Sequence, residues 1–227
     1  VVGLVASAVF FAVLHLGVSG TRLRDGLVSK LGEGPYMGLF SLASAGGLAA
    51  LAWTYSQAPR TTWWVAPGPM LHLTPALMAV SVWFVVLGLT TPSPTLTLMD
   101  GLLEREDAAR GILRITRHPM LVGFALWSVW HLVINGDGAS VVLFSSLAVV
   151  SVAGPPSIDR KRRRKHGPRW DVFAARTSIV PFAAIATGRN RLVGSEIPAW
   201  QWLVAAGTYV ALVAAHPVLF GVSAIPG

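Results

Sequence analysis

Runs of about twenty mostly apolar residues recur along this chain, and a helix of that length crosses a hydrocarbon core about 30 Å thick. The sequence predicts six of them, at 2–20, 36–56, 71–90, 119–135, 139–153 and 200–222. In lipid, backbone polar groups must be satisfied within a helix or a closed barrel. The expectation is therefore an all-α fold: a polytopic membrane helical bundle of about six transmembrane helices, one domain over 1–227. The short fourth and fifth runs are joined by Asn135-Gly136-Asp137-Gly138, a tight turn, and should form a hairpin. The first run lacks a charged leader segment and a small-residue cleavage site, so it is read as a span and not a signal peptide.

Charge orients the bundle. Only 12% of the residues are charged and 53% are hydrophobic, far from the quarter charged that is usual in soluble domains. A net charge of +8 invites a nucleic-acid partner, but its distribution argues for a membrane. Segments 21–35, 91–118 and 154–199 hold seventeen of the eighteen Lys and Arg residues, and only Arg60 lies on the other side. By the positive-inside rule that side is cytoplasmic and both termini lie outside, as in a multi-pass protein of a bacterial inner membrane. The run Arg160-Lys161-Arg162-Arg163-Arg164-Lys165 reads as an orientation signal that also meets anionic lipid headgroups, and no nucleic acid is expected. Asp100, Glu104, Glu106 and Asp107, interleaved with arginines, read as a solvated charged face. Trp63 and Trp64 outside, with Trp200 near the inner face, fit aromatic belts.

Five of the six histidines fall in or at the edge of the spans: His15, His72, His118, His131 and His216. An imidazole in hydrocarbon is costly without a partner, which makes an intramembrane histidine a functional hypothesis by default. Several on different helices point to one shared centre, a buried metal or haem, with interhelical hydrogen bonding as the alternative. Ala8, Ala12, His15 and Ser19 share one helix face, where small residues let a second helix approach the imidazole. Ser128, His131 and Asn135 form a second polar stripe, and His216 precedes Pro217, which frees a nearby carbonyl. His72 opens the third span, and His118 stands at the inner end of the fourth between Arg117 and Pro119. No Asp or Glu lies within a predicted span and the chain has no cysteine, so neither carboxylate nor thiolate chemistry is available in the interior. Neutral imidazoles favour haem or another imidazole-loving metal over magnesium or calcium.

The stretch Gly111-Ile-Leu-Arg-Ile-Thr-Arg-His-Pro-Met-Leu-Val-Gly123, followed by Leu126-Trp-Ser-Val-Trp-His-Leu-Val-Ile-Asn-Gly-Asp137, resembles the NnrU family of membrane proteins. The 15-cis-zeta-carotene isomerases belong to that family. Further matches are Leu14-His15 with Arg22-Leu-Arg24, Gly32-Glu-Gly34 leading to Tyr36, His72, and His216-Pro217. Arg176-Thr-Ser-Ile-Val-Pro-Phe-Ala-Ala-Ile185 with Gly188-Arg189 resembles the isomerase branch especially closely, and the resemblance covers almost the whole chain.

The resemblance implies haem b held by two histidines, His15 and His131, as iron ligands and catalytic centre. Reduced haem iron would drive cis-to-trans rotation in a lipophilic, carotenoid-like polyene, with an electron donor as a further partner. Ser128 stands where isomerases can carry a cysteine, so a thiolate ligand switch is not implied. Phe124, Trp127 and Trp130 are candidate pocket-lining aromatics. Depth bears on the ligand pair. At 1.5 Å per residue His15 stands about 7–8 Å from the inner boundary, whereas His131 lies close to the outer turn. A submerged hairpin turn would level the two; otherwise His72, His131 and His216 form the better-levelled set. His72, His118 and His216 therefore stand as alternative ligands or supports. Two other readings stay open. One is an NnrU-type haem protein of nitrite and nitric oxide metabolism without isomerase activity. The other is a membrane methyltransferase with S-adenosylmethionine near His118, suggested by Arg117-His118-Pro119, Gly167-Pro-Arg-Trp170 and Ile179-Val-Pro181. Against it, Leu121 replaces a tyrosine common in those enzymes, and Asp159-Arg160 stands where they tend to carry paired glutamates.

Overall fold

The computed structural model describes residues 1–96 and 98–225. Among the described residues the structure is helical, apart from an isolated antiparallel bridge between Thr62 and Asp137. Its elements are α1 (Val2–Ala12) continuing into a π-helical turn (Val13–Val18), α2 (Arg22–Leu31), α3 (Glu33–Ser56), α4 (Gly68–Leu71), α5 (Thr74–Thr90), α6 (Pro119–Ile134), α7 (Gly138–His166), α8 (Pro168–Arg176), α9 (Ala183–Ala186) and α10 (Ala199–Phe220).

Among the described residues, four helical stretches are long and apolar enough to cross a membrane: α3, the α4–α5 stretch Gly68–Thr90, α7 and α10. A fifth candidate is the pair Val2–Val18 and Arg22–Leu31, bent by 79°. At 16 residues α6 falls short of the length a full crossing needs. By length and composition, four or five of the six predicted spans are thus long enough to cross. The bend has a local cause. Thr21 caps α2 by accepting from the Leu23 N–H at 3.3 Å, and the charged residues Arg22, Arg24, Asp25 and Lys30 suit α2 to a membrane interface. Residues 21–35, which connect two predicted spans, are therefore mostly helix.

Two compact units make up the chain: Val1–Pro67 with Ser128–Ser157, and Gly68–Trp127 with Ile158–Gly227. In the first, Leu4 and Ala8 of α1 pack with Leu51 of α3 and Ala139 of α7. Gly47 lets the Phe10 ring lie against α3, since a Cβ there would stand 2.9 Å from it. The expected hairpin forms between α6 and α7, and the outer loop grips its turn. Trp63 and Trp64 N–H groups both donate to the Gly136 carbonyl, at 2.6 and 3.2 Å, and the Trp64 indole donates to the Val133 carbonyl at 2.9 Å. A side chain at Gly136 would overlap the Trp64 carbonyl.

In the second unit Phe84, Val86 and Leu87 of α5 pack against Ile112, Leu113, Ile115, Ile197 and Ala205. Gly88 and Gly123 bring α5 and the start of α6 into backbone contact, and the Ser81 hydroxyl donates to the Gly123 carbonyl at 2.8 Å.

The helix α7 departs from expectation. It runs through Pro155 and Pro156 and takes in the whole basic run, which reads from sequence as part of a loop. Interior proline costs a helix about 3 kcal/mol, and here polar contacts beyond the break offset it. Ser157 donates to the Gly20 carbonyl at 3.5 Å, while Asp159 and Arg162 are both engaged. Arg162 is buried at 6% exposure; it donates to Asp100 and, at 2.7 Å, to the Leu96 carbonyl. Lys165 also donates to Asp100. Asp100 therefore belongs to an ion cluster and not to a solvated face, and part of the basic run is committed to protein. Glu104 and Asp107 do form the exposed ion pairs expected of that face, with Arg169 and with Arg105 and Arg110.

Candidate functional site

His15 lies on the π-helical turn, where the Ser19 N–H reaches back five residues to the Leu14 carbonyl at 3.1 Å. Such insertions are frequent at functional sites because they re-aim a side chain. The His15 Nδ1 lies 2.9 Å from the Phe11 carbonyl oxygen. A carbonyl can only accept, so Nδ1 carries a proton, and in the corresponding tautomer the lone pair is on Nε2. A backbone acceptor of this kind typically fixes a metal-binding histidine. Phe11 packs 4.2 Å from the His15 ring, and Phe40 of α3 meets it edge-on at 5.4 Å. Tyr36 stacks on Phe40 at 6.0 Å. Phe11 and Phe40 went unnoticed in the sequence, where Tyr36 entered only through the family resemblance, though the Phe11/His15 and Tyr36/Phe40 four-residue spacings place each pair on one helix face.

His131 lies on α6, partly buried, with its ring 4.9 Å from that of Phe144 on α7. Ser128, one turn earlier, is fully buried. His15 and His131 thus belong to the same compact unit, whereas His72, His118 and His216 belong to the other. His72 is exposed, and His216 donates from Nδ1 to the Val222 carbonyl at 2.8 Å. Of the three candidate lining aromatics, Phe124 is exposed and Trp127 falls in the second unit, leaving Trp130 beside His131. An apolar groove of about 400 Å³ runs along α1 and α3 past Ala6, Phe10, Ala43, Gly47 and Ala50, on the two helices that bracket His15. Among the described residues no group of three or more His, Asp or Glu converges as a metal cluster.

His118 has a different setting. It is 3% exposed, and its Nε2 lies 2.7 Å from Asp159 Oδ1. Arg117 donates to Asp159 Oδ2 through Nε at 2.9 Å and Nη2 at 2.5 Å, so this carboxylate accepts from both neighbours. Burial pushes the His118 imidazole below the ordinary histidine range, against the opposing pull of Asp159. The ring is neutral, donating from Nε2. The surrounding bonds join the two quoted motifs. Arg117 N–H donates to the Ser178 carbonyl at 2.9 Å, Thr116 to the Ile179 carbonyl at 2.8 Å, and Phe182 N–H to the Ile115 carbonyl at 2.9 Å. Arg189 holds the far side by donating to the Ala175 and Thr177 carbonyls. Glu196, also missed in the sequence, accepts from Arg114 twice at 2.7 Å and from the Gly111 N–H at 2.7 Å. The Arg114 guanidinium holds its carboxyl below the usual glutamate range. The arrangement is a polar knot that fixes the entry to α6. The imidazole that a methyltransferase-like reading would present to a cofactor is enclosed in it.

A family model described as NnrU protein matches residues 3–224. The chain belongs to the NnrU family. Among proteins similar to this NnrU chain, a chloroplastic 15-cis-zeta-carotene isomerase of Zea mays is 38% identical over 82 residues, 36% of this chain and 22% of the maize protein. The chloroplastic 15-cis-zeta-carotene isomerase of Arabidopsis thaliana is 32% identical over 116 residues, 50% of this chain and 32% of that protein. The matches thus span at most about a third of those relatives' length. No solved structure matches the chain.

Proposed function

We propose that this NnrU protein is a haem b-binding membrane isomerase that converts a cis double bond of a carotenoid-like polyene to trans. The observation that carries the reading is the state of His15: its Nδ1–H is spent on the Phe11 carbonyl, which leaves Nε2 as a lone-pair donor inside an aromatic shell. That donor chemistry fits a ligand to haem iron, and His131, in the same unit, would supply the second imidazole. The substrate class comes from the printed names of the maize and Arabidopsis relatives.

When bound, haem iron would supply the reversible electron transfer or coordination that lowers the order of a polyene double bond. The chain's own residues have simpler tasks. Phe11 fixes the tautomer and rotation of His15 through its carbonyl and packs on the ring. Phe40 and Phe11 exclude water from the imidazole. The groove between α1 and α3 offers an apolar guest a dry path from the bilayer. No group on the chain has to carry a proton, because rotation about a double bond transfers none. A reductant for the iron is the partner this chemistry requires. We also keep the topology of six crossings with both termini outside, in which α6 is a shortened fourth crossing that lowers the hairpin turn and His131 into the membrane.

The test is the absorption of the detergent-solubilised protein, oxidised and dithionite-reduced, after expression with ample haem. A Soret band with sharp reduced α and β bands is expected from two imidazole ligands; a colourless preparation would remove the cofactor from the reading.

A further inference from the structure

Large apolar residues seldom adopt a left-handed backbone, because the Cβ then crowds a neighbouring carbonyl. Among the described residues two non-glycine positions do so, Leu98 at φ 65° and Phe182 at φ 64°. Both hold their side chains outward, 77% and 49% exposed, and Val180, two residues before Phe182, is 65% exposed. Strain of this kind persists only where the surrounding structure over-determines it. Around Phe182, its N–H donates to the Ile115 carbonyl at 2.9 Å, its carbonyl accepts from the Ala186 N–H at 2.8 Å, and the Ser178 hydroxyl accepts from the Ala184 N–H at 3.0 Å. Ahead of Leu98, the Thr95 hydroxyl donates to the Arg117 carbonyl at 3.3 Å, and the Leu96 carbonyl accepts from the buried Arg162 at 2.7 Å. Both loops are thus tied to the segment 115–117, and each carries a rigid apolar tip.

That segment stands at the end of the unit where its apolar helices stop. A Cβ at Gly88 would overlap Met120, so the end of α5 lies beside the start of α6. Gln201 of α10 donates to the hydroxyls of Thr90 at 2.9 Å and Thr91 at 3.2 Å, which brings the start of α10 to the same level. Trp200 and Trp202 are half exposed there, as in the aromatic belt at a membrane surface. Arg191, exposed and next in sequence to the exposed Leu192, adds a cation suited to lipid phosphate. We propose that Leu98, Val180 and Phe182 are wedges that penetrate the lipid leaflet on the basic side of the protein, seating their loops in the headgroup–acyl boundary with Arg191 at the phosphates. The occupant is lipid, because the tips stand at the end of the unit where α5 and α10 meet the interface, and apolar side chains immersed at that boundary leave water. The inference is independent of haem and of the isomerase reading.

The chain has no cysteine, so single cysteines can be placed and spin-labelled without altering any other residue. Phe182→Cys and Leu98→Cys are made in the full chain, with Leu203→Cys on the exposed face of α10 as the lipid reference and Glu106→Cys as the water reference. Each nitroxide-labelled variant is reconstituted in vesicles of phosphatidylcholine and phosphatidylglycerol. Collision with oxygen, which concentrates in lipid, is compared with collision with a water-soluble nickel chelate by electron paramagnetic resonance. The oxygen-to-nickel ratio at positions 182 and 98 is expected to be several-fold above that at 106 and to approach that at 203. A ratio at either tip equal to that at 106 overturns the proposal, because the tip then stands in water. Low collision with both reagents at either tip also overturns it, because the tip is then covered by protein, a second copy or another partner.

Discussion

Replacing His15 or His131 with alanine is expected to abolish the low-spin spectrum of the haem-loaded protein, each variant alone being sufficient. Two imidazoles would place a bound haem iron in a strong ligand field, and loss of either would weaken that field and broaden and shift the bands. The two variants should differ in rescue. Imidazole added to His15→Ala enters the space between Phe11 and Phe40, where the Phe11 carbonyl remains to orient it. At His131 it meets the ring of Phe144. His72→Ala and His216→Ala should leave the spectrum unchanged. A wild-type spectrum in both His15→Ala and His131→Ala would refute the ligand assignment, and loss of it in His72→Ala or His216→Ala would redirect it.

The second large effect is on stability. Asp159→Ala should destabilise the protein by about 3–5 kcal/mol, because removing one partner of a buried ion pair strands the other's charge. The Arg117 and His118 side chains are 11% and 2% exposed, and both would then face a space with no acceptor. Asp159→Asn keeps an acceptor and should cost less. Chemical denaturation in detergent, followed by Trp fluorescence, measures the difference. A cost below about 1 kcal/mol for Asp159→Ala would mean that the knot is solvated and does not anchor α6.

The elements that sequence reading finds well are those set by hydrocarbon length. The runs that became α3, α5, α7 and α10 were each located, because about twenty apolar residues leave few alternatives. The α6–α7 hairpin was legible from Asn135-Gly136-Asp137-Gly138 for the same local reason. Where the reading failed, distant contacts decided. Pro155 and Pro156 look like a stop, yet α7 continues because Asp159 and Arg162 are held by Arg117, His118 and Asp100, residues about forty to sixty positions away in sequence. The acidic face around Asp100 failed in the same way, since alternation of charge does not reveal which arginine folds back. At the candidate site, His15 was visible as an imidazole in an apolar run. The π-turn that presents it and the carbonyl that fixes its tautomer were not, because backbone register within a helix leaves no compositional trace. Tyr36 and Phe40 carried a usable signal, a four-residue spacing on the helix after the His15 span.

The proposal that this NnrU protein isomerises a polyene with a redox-active haem has a direct test. It is tested most directly by incubating the haem-loaded protein with 15-cis-zeta-carotene in anaerobic micelles, oxidised and reduced, and separating the geometric isomers by chromatography. Conversion at the 15-cis bond is expected with the reduced protein, little with the oxidised one, and none with His15→Ala. No conversion by a protein whose reduced spectrum is intact would contradict it, and would leave a haem-binding membrane protein that is not an isomerase.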